Sequence, residues 1–179
     1  MGRRADLAAA LRTVAAADAG EQAAIDRVTA LLEGAADPFD RDVVAPGHVT
    51  ASAFVLHPDG DRLLLILHRK LRRWLQPGGH VEPTDASVWD AAVREVEEET
   101  GLAAILVGEG PFDVDVHLVG HGGEEHEHFD VRFLVRGEGE PHAGDGVDDF
   151  RWATLAEMDG MEESLRRPAR KALGGVAAP

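Results

Sequence analysis

Five charged side chains crowd into the six residues Arg94-Glu95-Val96-Glu97-Glu98-Glu99, which run on into Thr100-Gly101-Leu102 and follow a glycine pair at Gly78-Gly79. In a helix advancing roughly 100° per residue, Glu95, Glu98 and Glu99 fall within an arc of about 100°, and Glu97 points to roughly the opposite side. Like charges this close repel one another. A divalent cation shared by the carboxylate oxygens removes that repulsion; a solvated acidic face is the other use of such a run. Arg94, four residues before Glu98, is placed to pair with it or to orient a ligand carboxylate.

The elements that must hold these groups can be read on either side of them. Val88, Trp89, Ala92, Val93 and Val96 repeat at spacings of three and four and form the stripe that a helix would bury. Gly101 stands just past the end, where a left-handed C-cap is expected. Upstream, Trp74-Leu75-Gln76-Pro77-Gly78-Gly79-His80-Val81-Glu82-Pro83-Thr84-Asp85 is a turn-rich loop, and its glycines let backbone amides and carbonyls approach a ligand.

Loop, spacer and helix together resemble the Nudix box, G-x5-E-x7-R-E-U-x-E-E-x-G-U, with U a bulky aliphatic. Arg94, Glu95, Val96, Glu98, Glu99, Gly101 and Leu102 match the second half at every fixed position, and Gly79 fits the first glycine. Asp85 then takes the first acidic position, and the spacer from there to Arg94 is one residue longer than the pattern, with the extra residue near Ala86 to Val88. The resemblance also covers Phe39-Asp40-Arg41, Gly47 to Ala53 and His126 to Phe133, which look like a widespread bacterial Nudix subgroup. It implies an α+β fold, a Nudix-type α/β/α sandwich with a mixed sheet between helices.

The family hydrolyses a nucleoside diphosphate linked to a further group, so the resemblance implies a pyrophosphohydrolase; a non-catalytic Nudix-fold module that binds a nucleotide or partner is the alternative. By resemblance, Glu95, Glu98, Glu99 and the carbonyl of Gly79 are the ligands of Mg2+ or Mn2+, and Glu95 or Glu98 accepts a proton from water. A further base often comes from a loop outside the box, for which Glu124, Glu125 and Glu127 are candidates. His126, His128 and Asp130 alternate, so on a strand they share one face; that face is either an extra metal or phosphate site or simply polar. His80 and Glu82, beside the box glycine, are candidates for substrate contact. So is Arg69 of the basic run Arg69, Lys70, Arg72 and Arg73, which can attract a polyphosphate. Trp74 can stack a base or pack in the core. His48, His57, His68, His117, His121 and His142 read as surface or packing residues.

The rest of the chain sets bounds. With 179 residues and a net charge of −15, it is a single domain with a sizeable core and no electrostatic means of gripping DNA. The absence of cysteine excludes disulfides and sulfur-ligated zinc. No stretch has the makings of a signal peptide or membrane span, so the expected setting is cytoplasmic. Residues 1–45 read as a helical pair, about Asp6 to Ala17 and Glu21 to Leu32, packed on a Nudix unit spanning 46–179. Val49 to Leu56 and Arg62 to His68 read as a hairpin. Further strands are expected at Leu102 to Val107, Phe112 to Val119, Phe129 to Val135 and Asp149 to Thr154, with a loop over Gly120 to Glu127 and a last helix from Met161 to Leu173, interrupted by Pro168. A homodimer is the expectation by fold analogy.

Overall fold

The computed structural model describes residues 2–121 and 124–174; the side chains of His121 and Glu124 also lie outside the description. Its helices are α1 (Arg3–Leu11), α2 (Ala19–Gly34), α3 (Val88–Thr100) and α4 (Glu163–Leu173). Its strands are β1 (Gly47–Leu56), β2 (Arg62–His68), β3 (Arg73–Leu75), β4 (Gly78–His80), β5 (Ala103–Leu106), β6 (Asp113–His121), β7 (Glu124–Glu138) and β8 (Val147–Thr154). They form one mixed sheet in the order β3-β2-β1-β7-β5, with β4 added to β1, β6 to β7 and β8 to β2. Among the described residues only the β1–β7 pair is parallel, and it joins Gly47–Leu56 to Glu127–Arg136.

β1 is buried along its whole length because both of its faces are covered. Val49, Ala51, Ala53 and Val55, with Phe129, Val131, Phe133 and Val135 of β7, share a core with Leu7, Leu11, Ile25, Val28 and Leu32 of the first two helices and with Val88, Ala91, Ala92 and Val96 of α3. Alternate residues point the other way, so Phe54, Leu56 and Leu134 pack with Leu165, Ala169 and Ala172 of α4. This is the α+β sandwich that the resemblance implies.

Three local expectations are corrected. The first helix is Arg3–Leu11 rather than Asp6 to Ala17. Thr13 turns both its amide and its hydroxyl onto the carbonyl of Ala10. Asp18 caps α2 by accepting from the amide of Glu21, whose carboxylate takes the amide of Ala17, so these residues serve the second helix. The β1–β2 hairpin closes at its turn but is short: among the described residues it pairs Leu56 with Leu63, while β2 is engaged along its length by β8 and at its far end by β3. The expected loop over Gly120 to Glu127 is largely strand: β6 and β7 pair out to His121 and Glu124, which puts Glu124, Glu125 and Glu127 on β7.

Pro168 does lie inside α4. Lacking an amide hydrogen, it leaves the carbonyl of Ser164 without a helical donor. The guanidinium of Arg132, fully buried, donates to that carbonyl at 2.8 Å and to the carboxylates of Asp113, Asp115 and Asp130. Arg132 thus ties α4 to the middle of the sheet.

Candidate active site

Helix α3 opens at Ser87, whose side chain accepts from the amide of Asp90, and closes at Gly101 in the left-handed conformation at φ 70°. Its buried side is Val88, Ala91, Ala92 and Val96, and Trp89 meets Phe133 edge-on at 5.3 Å. This packing turns the glutamates toward β4. The two glycines of β4 are needed for different reasons. A Cβ on Gly78 would stand 2.3 Å from Cβ of Ser52 and 2.7 Å from its Cα, so only glycine lets β4 lie this close to β1. A Cβ on Gly79 would fill the space held by the carboxylate of Glu95, 2.5 Å away.

Arg94 organises the cluster. It donates to both oxygens of Asp85 at 3.1 Å each, to the carbonyl of His80 at 2.9 Å, to Glu95 at 2.9 Å and to Glu98 at 3.1 Å. Asp85 also accepts from the amide of Glu82 at 2.8 Å, closing the loop on itself. The longer spacer therefore leaves Asp85 in contact with Arg94, where its role is to hold the arginine. Glu99 accepts from the amide of Gly78 at 2.9 Å. Exposure separates the three glutamates: the side chain of Glu98 is 48 % exposed, that of Glu95 15 %, and Glu99 is buried.

Burial dominates the electrostatics. It pushes the Glu99 carboxyl up to about 8, the charges of Glu95 and Glu98 adding to the effect while the Gly78 amide opposes it. Burial also raises Glu95, against the pull of Arg94. Arg94 is itself partly desolvated, yet its bonds to Asp85 and Glu95 hold it firmly protonated. Glu95 and Glu98 share one guanidinium with Asp85, and Glu99, which has no cation of its own and does not ionise freely near neutral pH, adds to their charge when ionised, so the all-oxygen cluster has unmet demand for positive charge. That donor set suits a hard cation such as Mg2+.

Other candidate residues are placed differently. Arg69 donates to Asp148 at 2.7 Å and to the carbonyl of Val147, Arg72 also pairs with Asp148, and Arg73 pairs with Glu162. The basic run is thus tied to β8 and the start of α4 and makes no bond to the box carboxylates. The ring of Trp74 is covered by the guanidinium of Arg151 at 4.6 Å. Glu82 is exposed, Glu127 pairs with Arg27, and Glu125 is exposed on β7; the side chain of Glu124 lies outside the described residues. Asp130 faces inward and is bonded by Thr50, Ser52 and Arg132.

The histidines gather where the sequence pointed to His80, His126 and His128. His128 pairs with His48 across β1–β7 and with His117 across β6–β7. The rings of His48, His126 and His128 lie 5.0 to 5.2 Å apart, and His80 stands 5.1 Å from His48. Burial lowers His128 to about 3 and His80 to about 4, so both rings are neutral at pH 7. His48 had no periodic signal to distinguish it from a packing residue; its membership comes only from the parallel pairing of strands some 80 residues apart.

The family model described as the NUDIX domain matches residues 46–173. The chain belongs to the NUDIX family. A NUDIX-family hydrolase from Clostridium perfringens is 25% identical, with a TM-score of 0.55 over 71% of this chain and 96% of that one. The MutT NUDIX hydrolase of Burkholderia pseudomallei is 26% identical, with a TM-score of 0.53 over 69% of this chain and 95% of that one. An Ap4A hydrolase of C. elegans, at 17% identity and a TM-score of 0.54 over 69% and 93% of the two chains, shares the fold. Family and hydrolase relatives make this a Nudix pyrophosphohydrolase. Among the described residues, no helix is long and apolar enough to cross a membrane.

Proposed function

We propose that this Nudix enzyme hydrolyses the P–O–P bridge of a small nucleotide, a nucleoside diphosphate linked to another group such as a sugar, ribose, second nucleoside or phosphate, and that it uses Mg2+ or Mn2+. The observation that carries the reading is the cluster at β4, where Gly79 leaves room for the carboxylate of Glu95, the Gly78 amide donates to Glu99, and Arg94 holds Glu98 beside Glu95. Glu95, Glu98, Glu99 and the carbonyl oxygen of Gly79 would hold the ion. When bound, it neutralises the pyrophosphate and lowers the pKa of the attacking water.

The chain supplies the rest. Arg94, locked by Asp85, keeps Glu95 and Glu98 side by side. The Gly78 amide fixes Glu99. Glu98, the most exposed of the three, is the group best able to take the proton from water as it attacks phosphorus, and the leaving phosphate departs as the bridge breaks. The neutral imidazoles near β4 and the solvent-facing Glu82 are left for substrate contact.

The test is a panel of ADP-ribose, nucleotide sugars, dinucleoside polyphosphates and nucleoside triphosphates, incubated with Mg2+ or Mn2+ and followed by 31P NMR. The proposal expects at least one member to be cut at a phosphoanhydride. Nucleotide binding without turnover under either metal would instead make the protein a non-catalytic Nudix-fold module.

A further inference from the structure

The carboxylate site uses the face of the sheet that carries α3. The opposite face carries a second constellation that the hydrolytic step assigned to the carboxylates does not use. His48 and Thr50 of β1, His126, His128 and Asp130 of β7, and His80 of β4 all lie on it, since Thr50 pairs with His80, and Asp130 with Thr50.

His48 is fully buried. Its Nδ1 lies 2.9 Å from the carbonyl oxygen of Val43, which can only accept, so Nδ1 carries the hydrogen and Nε2 presents a lone pair. That Nε2 is buried and has no hydrogen-bond partner. An unmet buried acceptor costs about 1–3 kcal/mol, and this one is aimed among histidines. One ring nitrogen each of His48, His126 and His128 lies within 4.8 Å of the others. A point central to them is then at most about 2.8 Å from each, and Zn–N bonds of about 2.0–2.1 Å need each ring to close in by roughly 0.7 Å. A histidine that donates one nitrogen to a backbone carbonyl while its other nitrogen is free has the arrangement typical of a metal ligand.

We propose that His48, His126 and His128 form a second metal site, distinct from the carboxylate cluster, which binds a divalent transition ion of the zinc class through three imidazole nitrogens. Three uncharged nitrogen donors favour such an ion over Mg2+, which prefers oxygen ligands. They also offer no fixed positive charge to a phosphate. His80, its ring 5.1 Å from that of His48 and 5.3 Å from that of His128, is placed as a fourth donor. Because His80 follows Gly79 in β4, an ion here would stiffen the strand that carries the glycine of the other site.

The test is independent of turnover. The protein is stripped with a chelator, returned to buffer with excess Mg2+ to occupy the carboxylates, and titrated with Zn2+ by calorimetry; bound metal is then counted after gel filtration. Co2+ is used in parallel, and its visible absorption reports nitrogen coordination. Wild type and Glu98→Gln should each bind one equivalent. The double variant His126→Gln/His128→Gln should bind at least about 100-fold more weakly, with an unchanged circular dichroism spectrum and no Co2+ band. These two rings are half-exposed, so their replacement spares the core that His48→Gln would disturb. Substoichiometric binding by wild type would overturn the proposal, as would equal affinity in the double variant or loss of binding in Glu98→Gln. Failure of the hydrolysis assay would leave this result unaffected.

Discussion

Alanine at Gly79 and at Gly78 should produce opposite phenotypes although the residues are neighbours on β4. At Gly79 the new methyl would stand 2.5 Å from Oε1 of Glu95, where ordinary contact begins near 3.4 Å, so the carboxylate has to retreat by about 0.9 Å. The obstacle is the far end of a flexible side chain, so folding should change by no more than about 1 kcal/mol. Misplacing a reacting or ligating group by about 1 Å, however, costs on the order of 100-fold in rate. At Gly78 the methyl would meet Cα and Cβ of Ser52 and the carbonyl of Ala51 at 2.3 to 2.8 Å, and β4 must part from β1. Overpacking against backbone costs about 3 kcal/mol, or roughly 6–12 °C in a chain of this size. Thermal melts by circular dichroism and kcat/KM on the best substrate from the panel separate the two effects. The reasoning fails if Gly79→Ala keeps full turnover, or if Gly78→Ala melts with the wild type while Gly79→Ala unfolds.

Other outcomes follow from the same contacts. Glu99 holds its proton more tightly when folded, at about 8 against the ordinary 4.5 of a glutamate, so its contribution to stability is complete below about pH 4.5 and is lost as pH rises through 8. Metal-free protein should weaken by a few kcal/mol across that window relative to Glu99→Gln, as measured in denaturant melts at stepped pH, and Mg2+ should restore most stability at the alkaline end. Asp85→Ala, by leaving Arg94 partly buried without its bidentate partner, should cost about 3 kcal/mol and lower kcat more than it raises KM. Arg132→Ala takes one cation from Asp113, Asp115 and Asp130 together and frees the Ser164 carbonyl beneath α4; a loss of about 3–5 kcal/mol should bring the melting temperature down by 10 °C or so.

The helix of the active site was legible because its signals are local. The stripe from Val88 to Val96 and the left-handed Gly101 act within a few residues, and the angular argument that grouped Glu95, Glu98 and Glu99 needs only helical geometry. Asp85 was harder: with an extra residue in the spacer, only the folded loop shows its carboxylate turned onto Arg94. What depends on strand pairing was hidden. β1 and β2 are adjacent in sequence and look like a hairpin, yet the ladder of β2 is with β8, and β1 takes β7 as its parallel neighbour. That long-range pairing brings His48 to His128, and no pattern around His48 announces it. The basic run at Arg69 to Arg73 suggested a phosphate lure, but Asp148 and Glu162, distant in sequence, hold three of its arginines.

Glu98→Gln offers the most direct measurement of the central claim, because it keeps the size of the side chain at the most exposed of the three positions while removing its charge. Turnover of the best substrate in saturating Mg2+ should fall by a factor of at least about 100, with a melting curve that overlays the wild type. Undiminished turnover in that variant would contradict the assignment of the hydrolytic site to the glutamates gathered against β4.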